Sequence, residues 1–142
     1  MMHALAAMLG IRTGAKVSII NPPPGFVHQL NPLPDGVEFL VTAASGLDLI
    51  LFFTDDAKEV VARLPALSRA MALTGGIWIC FPEEARRPLD EEFVRTAALD
   101  IGMVDNKRTT FDSGWRGLRL VWRDRSRPDK PEPKKRAPAA EA

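Results

Sequence analysis

The sequence predicts an α/β fold, in which helices cover both faces of a mainly parallel β-sheet and an antiparallel hairpin closes the chain. Two observations carry this prediction. Short β-branched and apolar runs alternate with segments of helical periodicity from residue 16 to residue 102, and parallel strands require such crossover connections. Two strand-like segments then follow in close succession, which is typical of an antiparallel pair. We therefore expect a three-layer sandwich formed by a single domain, residues 1–123.

The first part of the chain supplies an apolar opening segment, three strands and a short helix after the first strand. The apolar opening predicts a short helix or packed arm that ends at Gly10. Strands are predicted in the segments "KVSII", "GVEFLVT" and "LDLILFF", with a short helix over residues 25–30 after the first of them. The third segment is apolar throughout, which is typical of a strand covered on both faces.

A helix with an apolar stripe follows the third strand. The stripe residues recur at spacings of four, three and four: Val60, Leu64, Leu67 and Met71. Asp55 or Asp56 is expected to cap this helix. Because proline removes a backbone donor and clashes with the preceding turn, Pro65 is expected to kink or break it and to begin a second helical segment.

The remaining elements are one strand, one helix and the hairpin. Gly75 and Gly76 are expected to end the helical region before the strand "IWICFP". The next helix begins at Asp90 and ends at Gly102, with an inward stripe predicted at Phe93, Ala97 and Ile101. The hairpin strands are predicted in "MVDNKRTTF" and "LRLVWR", joined through "DSGWRG".

The last nineteen residues differ from the rest. Residues 124–142 contain four prolines, six basic and four acidic residues, with no aromatic or branched aliphatic side chain. Such a segment cannot bury enough apolar surface to offset the loss of chain entropy on ordering. We expect a disordered Pro/Lys-rich tail.

Composition limits the functions that this chain can have. The net charge is +1 over 142 residues, so nucleic acid is not an expected partner. The apolar runs are too short for a membrane span, and no basic residue precedes the apolar opening as in a secretory signal. A single cysteine, Cys80, excludes an internal disulfide. A cytoplasmic protein is expected.

Several motifs together resemble a known bacterial family. The segments are "LGIRTGAKV", "NPPPGF", "LDLILFF", "GGIWICFP", "GMVDNK" and "WRGLRLV", and they resemble the family called domain of unknown function 3052. More distantly, the order of elements over residues 17–123 resembles a shortened core of the S-adenosylmethionine-dependent methyltransferases. That resemblance implies a Rossmann-like fold, but not the activity.

Two features that this cofactor requires are missing from the sequence. A glycine-rich turn after the first strand normally admits the cofactor, and an acidic residue after the second strand holds the ribose hydroxyls. Here the turn is Asn-Pro-Pro-Pro-Gly, residues 21–25, in which three prolines lack a backbone donor. The second predicted strand runs into "VTAASG", which has no carboxylate. No cofactor is predicted, and the loop is interpreted as a stiffened structural remnant.

Ligands of open α/β sheets bind beyond the carboxyl ends of the strands. The candidates expected to line this crevice are Asn21, Gly25, Thr54, Asp55, Asp56, Glu83 and Glu84. The four carboxylates could hold a divalent cation or share a proton. Alternatively, the aspartates cap a helix while the glutamates face water, and this alternative is favoured. Neither a metal site nor a catalytic residue is predicted.

Polar and aromatic residues also concentrate around the hairpin. Asp105, Asn106, Trp115 and Arg116 are predicted as an interaction surface for a protein partner or a second copy of the chain. In the alternative interpretation, Trp115 covers the end of the sheet and Asp105 and Asn106 shape a turn or bulge. The sequence thus favours a non-catalytic interaction or regulatory domain on a degenerate methyltransferase-like scaffold. The second hypothesis is a small-molecule-binding protein or enzyme that uses the strand-end crevice.

Overall fold

A computed structural model of the chain describes residues 4–40, 45–111 and 114–124. The strands are β1 (Lys16–Ile20), β2 (Glu38–Phe39), β3 (Leu47–Phe53), β4 (Met71–Pro82), β5 (Met103–Phe111) and β6 (Trp115–Trp122). The helices are α1 (Ala4–Leu9), α2 (Phe26–Gln29), α3 (Ala57–Ala70) and α4 (Glu91–Asp100).

The strands form one six-stranded sheet in the order β2-β1-β3-β4-β6-β5. Strands β1 to β4 are parallel, and β6 lies antiparallel between β4 and β5. Side chains from α1 and α2 pack on one face of the sheet, and side chains from α3 and α4 pack on the other. The expected α/β sandwich, mainly parallel with a C-terminal antiparallel hairpin, is confirmed.

Each face of the sheet has its own buried cluster. Phe52, Ile77 and Leu118 lie under α3 and α4, whereas Phe53 and Trp78 lie under α1 and α2. Successive residues of β3 therefore point to opposite faces and are buried on both, as the apolar run of this strand predicted.

Helix α3 differs from the expectation of a second helical segment that begins at Pro65. The helix runs from Ala57 to Ala70 without a second segment beginning at the proline. Val60, Leu64 and Leu67 are buried on both sides of it. Packing of this apolar stripe outweighs the one hydrogen bond that proline removes, because tertiary contacts supply most of the stability of helices in proteins.

The expectation that Gly75 and Gly76 end the helical region was wrong. Strand β4 begins at Met71, directly after α3, and both glycines lie inside it. A Cβ atom at Gly75 would lie 2.8 Å from the Asp48 carbonyl oxygen, and one at Gly76 would lie 2.7 Å from Cζ of Arg119. The glycines thus allow close approach of the β3 backbone and of a guanidinium, which is a common use of glycine inside a strand.

Helix α4 begins as expected but faces the core differently. The Asp90 carboxylate accepts a hydrogen bond from the Phe93 N–H at 2.8 Å and caps the helix. The buried residues are Val94 and Ala98, whereas Phe93, Ala97 and Ile101 are only partly buried. The predicted stripe was displaced by one residue, which is a rotation of about 100° around the helix.

Two strand boundaries also differ from the prediction. The second strand is confined to Glu38–Phe39, and residues 41 and 42 of the predicted segment lie outside the described residues. Strand β6 begins at Trp115, so "WRG" belongs to the strand and not to the connection before it. The predicted tail also lies outside the described residues from residue 125 onward.

Candidate functional site

The crevice of this sheet lies between the carboxyl ends of β1 and β3. The chain leaves β1 toward β2 on one side and leaves β3 toward β4 on the other, which defines the point where open α/β sheets bind ligands. The loop after β1 begins at Asn21, which has a positive φ of 56°. It ends at Gly25, which precedes α2 with φ 84°.

The prolines leave this loop with few backbone donors. Pro22, Pro23 and Pro24 have no N–H, and the Phe26 N–H donates to the Pro23 carbonyl oxygen at 3.1 Å. Within residues 21–25, a phosphate or carboxylate could therefore meet only the backbone amides of Asn21 and Gly25. A glycine-rich loop would offer one amide per residue.

Aromatic contacts hold the loop against the end of the sheet. The buried Phe26 ring lies 4.7 Å from the Phe53 ring and 5.7 Å from the Phe111 ring. The Phe53 ring also lies 5.3 Å from the Trp115 ring in a T-shaped arrangement. This aromatic cluster (Phe26, Phe53, Phe111 and Trp115) joins the loop after β1 to the end of β3 and to the hairpin.

Thr54 and Asp56 are used to begin α3. The Thr54 hydroxyl donates to Oε1 of Glu59 at 2.8 Å and accepts from the Asp56 N–H at 3.1 Å. The Asp56 carboxylate accepts from the Lys58 N–H at 2.9 Å. The bonds from the Asp56 and Lys58 N–H groups satisfy backbone amides at the start of the helix, and the bond to Glu59 holds the Thr54 hydroxyl in place. For Asp56 the structure agrees with the helix-capping alternative.

The four carboxylates do not line one site. Asp55, Asp56 and Glu84 line a cavity of about 720 Å³ at the ends of β3 and β4. Glu83 lines a separate cavity of about 370 Å³, where its carboxylate lies 4.0 Å from the Arg116 guanidinium.

The larger cavity is not lined by carboxylates alone. It is also lined by Lys58, Arg86 and Arg87, so charges of both signs surround it. In the described residues, no group of three or more His, Cys, Asp or Glu side chains is arranged to hold a metal ion.

A charged network that the sequence did not predict lies beside Glu83. Glu91, whose side chain is 16% exposed, accepts hydrogen bonds from Arg116 and Arg108, each at 2.9 Å. The Arg116 hydrogen bond, followed by that of Arg108, lowers the pKa of Glu91 below its usual value. Arg95 lies 3.9 Å away on the same helix. Only the Glu91–Arg95 pair has a local sequence signal, because Arg108 and Arg116 belong to strands that are distant from Glu91 in sequence.

The four predicted interaction residues are divided between the two ends of the hairpin. Trp115 and Arg116 pair with Phe111 and Thr110 beside the hairpin turn, whereas Asp105 pairs with Leu120. Five residues of strand separate the two ends, which is about 17 Å at a rise of about 3.4 Å per residue.

Asp105 and Asn106 lie at a strand irregularity of the kind that the alternative interpretation predicted, and their role in an interaction surface stays a prediction. The register of the β5–β6 pairing shifts between Asp105 and Lys107, which is a bulge. Asp105 accepts a hydrogen bond from Arg95 at 3.2 Å, and Asn106 accepts one from Arg119 at 3.3 Å.

Cys80 has the environment of a core residue. It is fully buried in β4, and this burial raises the pKa of its thiol. Since the thiolate is the reactive form of cysteine, the buried thiol has little reactivity.

Comparison with solved structures identifies the fold. A methyltransferase from Aquifex aeolicus described as SAM-dependent has a TM-score of 0.59 and 15% identity, over 81% of this chain and 86% of that one. A TehB-like SAM-dependent methyltransferase from Corynebacterium glutamicum has a TM-score of 0.53 and 14% identity, over 78% of this chain and 82% of that one. The mitomycin 7-O-methyltransferase MmcR has a TM-score of 0.57 and 14% identity over 77% of this chain. The match covers 49% of the MmcR chain, so this protein spans about half of its length.

The protein therefore has a methyltransferase-like, Rossmann-like fold, and at these identities the likeness shows the fold alone. No family model and no curated protein matches the chain. Membership of the domain of unknown function 3052 family thus stays a prediction. Within the described residues, no helix combines the length and apolar content needed to cross a bilayer.

Proposed function

We propose that this protein is a non-catalytic interaction or regulatory domain built on a degenerate methyltransferase-like scaffold. The observation that carries the proposal is the anchoring of the loop after β1. Three of its residues are prolines, and the Phe26 ring beneath it packs on Phe53 and Phe111. A loop held in this way supports the sheet and presents few donors to a cofactor.

The second strand supports the same proposal. In a dinucleotide or S-adenosylmethionine site, an acid after the second strand holds the ribose. Strand β2 ends at Phe39, and residues 40–46 contain no Asp or Glu. Thr54 and Asp56, two further crevice candidates, are hydrogen-bonded within the start of α3.

We propose the hairpin end as the interaction surface, with a protein partner or a second copy of the chain as its occupant. Trp115 is half-buried on Phe53 and keeps part of its surface exposed. Arg116 is 36% exposed while it contacts Glu91 and Glu83. A tryptophan and an arginine held by their neighbours lose little side-chain entropy on binding, which is a property of interaction hot spots.

Native mass spectrometry of protein purified from its own host tests this proposal, with Trp115→Ala compared against Trp122→Ala. Both tryptophans are half-buried on β6, at its opposite ends. Each substitution is expected to lower the free energy of unfolding by about 2 kcal/mol, which is less than the replacement of a fully buried tryptophan would cost. Association is expected to weaken at least tenfold for Trp115→Ala alone. A monomer without a partner, or equal losses for both variants, would remove the hairpin end as the interaction surface.

One observation favours the second function, a small-molecule-binding protein or enzyme. The cavity of about 720 Å³ lies at the strand ends, and carboxylates, a lysine and two arginines line it. Its volume is within the range of ordinary ligand sites. A small molecule that is retained in the native spectrum, and lost with Asp55→Asn or Arg87→Gln, would establish this function.

A further inference from the structure

A groove runs between β1 and α3 on the face of the sheet opposite α1 and α2. We call it the β1–α3 groove; its volume is about 310 Å³, and its lining includes Ser18, Ile20, Ile50, Arg63, Leu67 and Arg69.

Ser18 places an unpaired hydroxyl in the floor of this groove. The residue is 1% exposed, and its Oγ has no hydrogen-bond partner. In the parallel pairing Ser18 lies beside Ile50, and both line the groove. A buried hydroxyl without a partner reduces stability, and a ligand atom in the groove would supply that partner.

Two arginines of α3 add positive charge to the same groove. The guanidinium of Arg63 lies 5.2 Å above the Phe52 ring, which restricts its position. Arg69 follows six residues later, about 9 Å along the helix axis, and it is exposed. Neither arginine forms an ion pair with a carboxylate in residues 4–40, 45–111 and 114–124. Among the described residues that line the groove, those other than Ser18, Ser45 and these arginines are apolar.

We propose that the β1–α3 groove binds a small organic carboxylate with an apolar body. Arg63 pairs with the carboxylate, since its guanidinium is already held over Phe52. Ile20, Ile50 and Leu67 contact the apolar body, and the Ser18 hydroxyl donates to a ligand oxygen. This site is on the face of the sheet that α3 and α4 cover, and it is separate from the strand-end crevice. The proposal therefore does not depend on whether the crevice binds a ligand.

Calorimetry of the full chain with three eight-carbon probes tests the ligand class. Octanoate carries the predicted charge, octanol has no charge, and octylamine has the opposite charge. We expect saturable 1:1 binding of octanoate, with octanol at least tenfold weaker and octylamine weaker still. Absence of saturable octanoate binding at millimolar concentration, or equal binding of all three probes, would overturn the proposal.

Groove-filling variants locate the binding site. Ala66 lines the groove and Ala62 does not, although both are exposed on α3. Ala66→Trp is expected to abolish octanoate binding without loss of the folded state, and Ala62→Trp is expected to bind as the unmodified chain does. Octanoate binding that survives Ala66→Trp would place the ligand elsewhere and contradict the proposal.

Polar variants test the individual groups. Arg63→Gln is expected to weaken octanoate binding about tenfold. Arg87→Gln is the control and should leave octanoate binding unchanged, because Arg87 lines the strand-end cavity and not the groove. Ser18→Ala is expected to raise the melting temperature of the free protein by a few degrees and to weaken binding several-fold. A purely structural Ser18 would change the melting temperature and leave the affinity unchanged, and that result would refute the role given to its hydroxyl.

Discussion

Glu91 connects three elements through one carboxylate. It belongs to the first turn of α4, where a negative charge is favoured by the helix dipole. Its two oxygens each accept a hydrogen bond, Oε1 from Arg108 of β5 and Oε2 from Arg116 of β6. Because the side chain is mostly shielded from water, these charge-assisted bonds hold α4 against the hairpin more strongly than exposed ion pairs would.

The lowered pKa of Glu91 predicts how the stability depends on pH. The ionised form is the stabilised one, so its contribution is complete above the unfolded-state pKa of about 4.3. It is lost as the pH falls through the lower folded-state pKa. Glu91→Gln is therefore expected to melt at a lower temperature than the unmodified chain at neutral pH, and the two curves should converge in acid.

Thermal melts from about pH 7 to about pH 2 measure this convergence. Glu84→Gln is the control, because Glu84 is exposed and its substitution should change little at any pH. A difference for Glu91→Gln that stays constant across the whole range would contradict the role of the ionised carboxylate.

At the residue scale, the sequence predicted the helix caps and missed the partners of charged groups. Asp56 and Asp90 cap their helices because capping depends on residues two or three positions away. The two hydrogen-bond partners of Glu91 lie 17 and 25 residues away in sequence. Likewise, the alternation of β1 predicted that Ser18 lies in a strand, but not that its hydroxyl would be buried without a partner.

Among the elements, the six-residue helix α1 depends on its contacts for stability. Helices of this length are unstable in isolation. The buried Trp78 indole N–H donates to the Leu9 carbonyl oxygen at 2.9 Å, and the Lys107 ammonium donates to the Met8 carbonyl oxygen at 2.8 Å. Both bonds satisfy carbonyl groups at the end of α1, so β4 and β5 hold the helix in place.

Trp78→Phe tests this anchoring. The substitution keeps an aromatic ring in the core and removes the N–H, so it should cost about 1–3 kcal/mol and speed amide hydrogen exchange in α1. Trp122→Phe is the matched control, since Trp122 packs on the opposite face of the sheet under α4. Hydrogen exchange in α1 that is equally fast in both variants, or unchanged in both, would show that the indole bond does not hold the helix.

The elements that the sequence misassigned have a common physical cause. Pro65, Gly75 and Gly76 were interpreted by local rules, and each is tolerated because of a contact that is distant in sequence. Packing of the buried stripe of α3 outweighs the hydrogen bond that Pro65 removes. The close approach of the β3 backbone and of Arg119 leaves no room for a side chain at Gly75 and Gly76. The bulge at Asn106 was predicted as an alternative because polar residues at strand irregularities are common.

For the whole molecule, alternation of strands and helices was enough to predict the sheet, its mainly parallel character and the antiparallel hairpin. The crevice could be located because the predicted boundaries of the strands also give the positions of their carboxyl ends. Its contents could not be predicted, since the contacts of Phe26 with Phe53 and Phe111 depend on packing between distant segments. The β1–α3 groove was also missed, because its lining brings together residues of β1, β3 and α3 that are distant in sequence.

The composition of the C-terminal segment leads to a prediction for the whole chain. Residues 124–142 have four prolines and no aromatic or branched aliphatic side chain. A chain that ends at Arg123 is therefore expected to keep the melting temperature of the full-length protein. Differential scanning calorimetry of the two proteins measures this, and a decrease of several degrees on truncation would show that the segment packs on the domain.

Calorimetric titration of the full-length protein with S-adenosylmethionine tests whether the scaffold has lost the cofactor site. The proline-rich loop, its anchoring by Phe26 and the absence of an acid in residues 40–46 predict no saturable heat up to millimolar cofactor. A control titration of a methyltransferase that binds S-adenosylmethionine verifies the cofactor sample. Saturable 1:1 binding to this protein would contradict the interpretation of the scaffold as degenerate and would favour an enzyme that acts in the strand-end crevice.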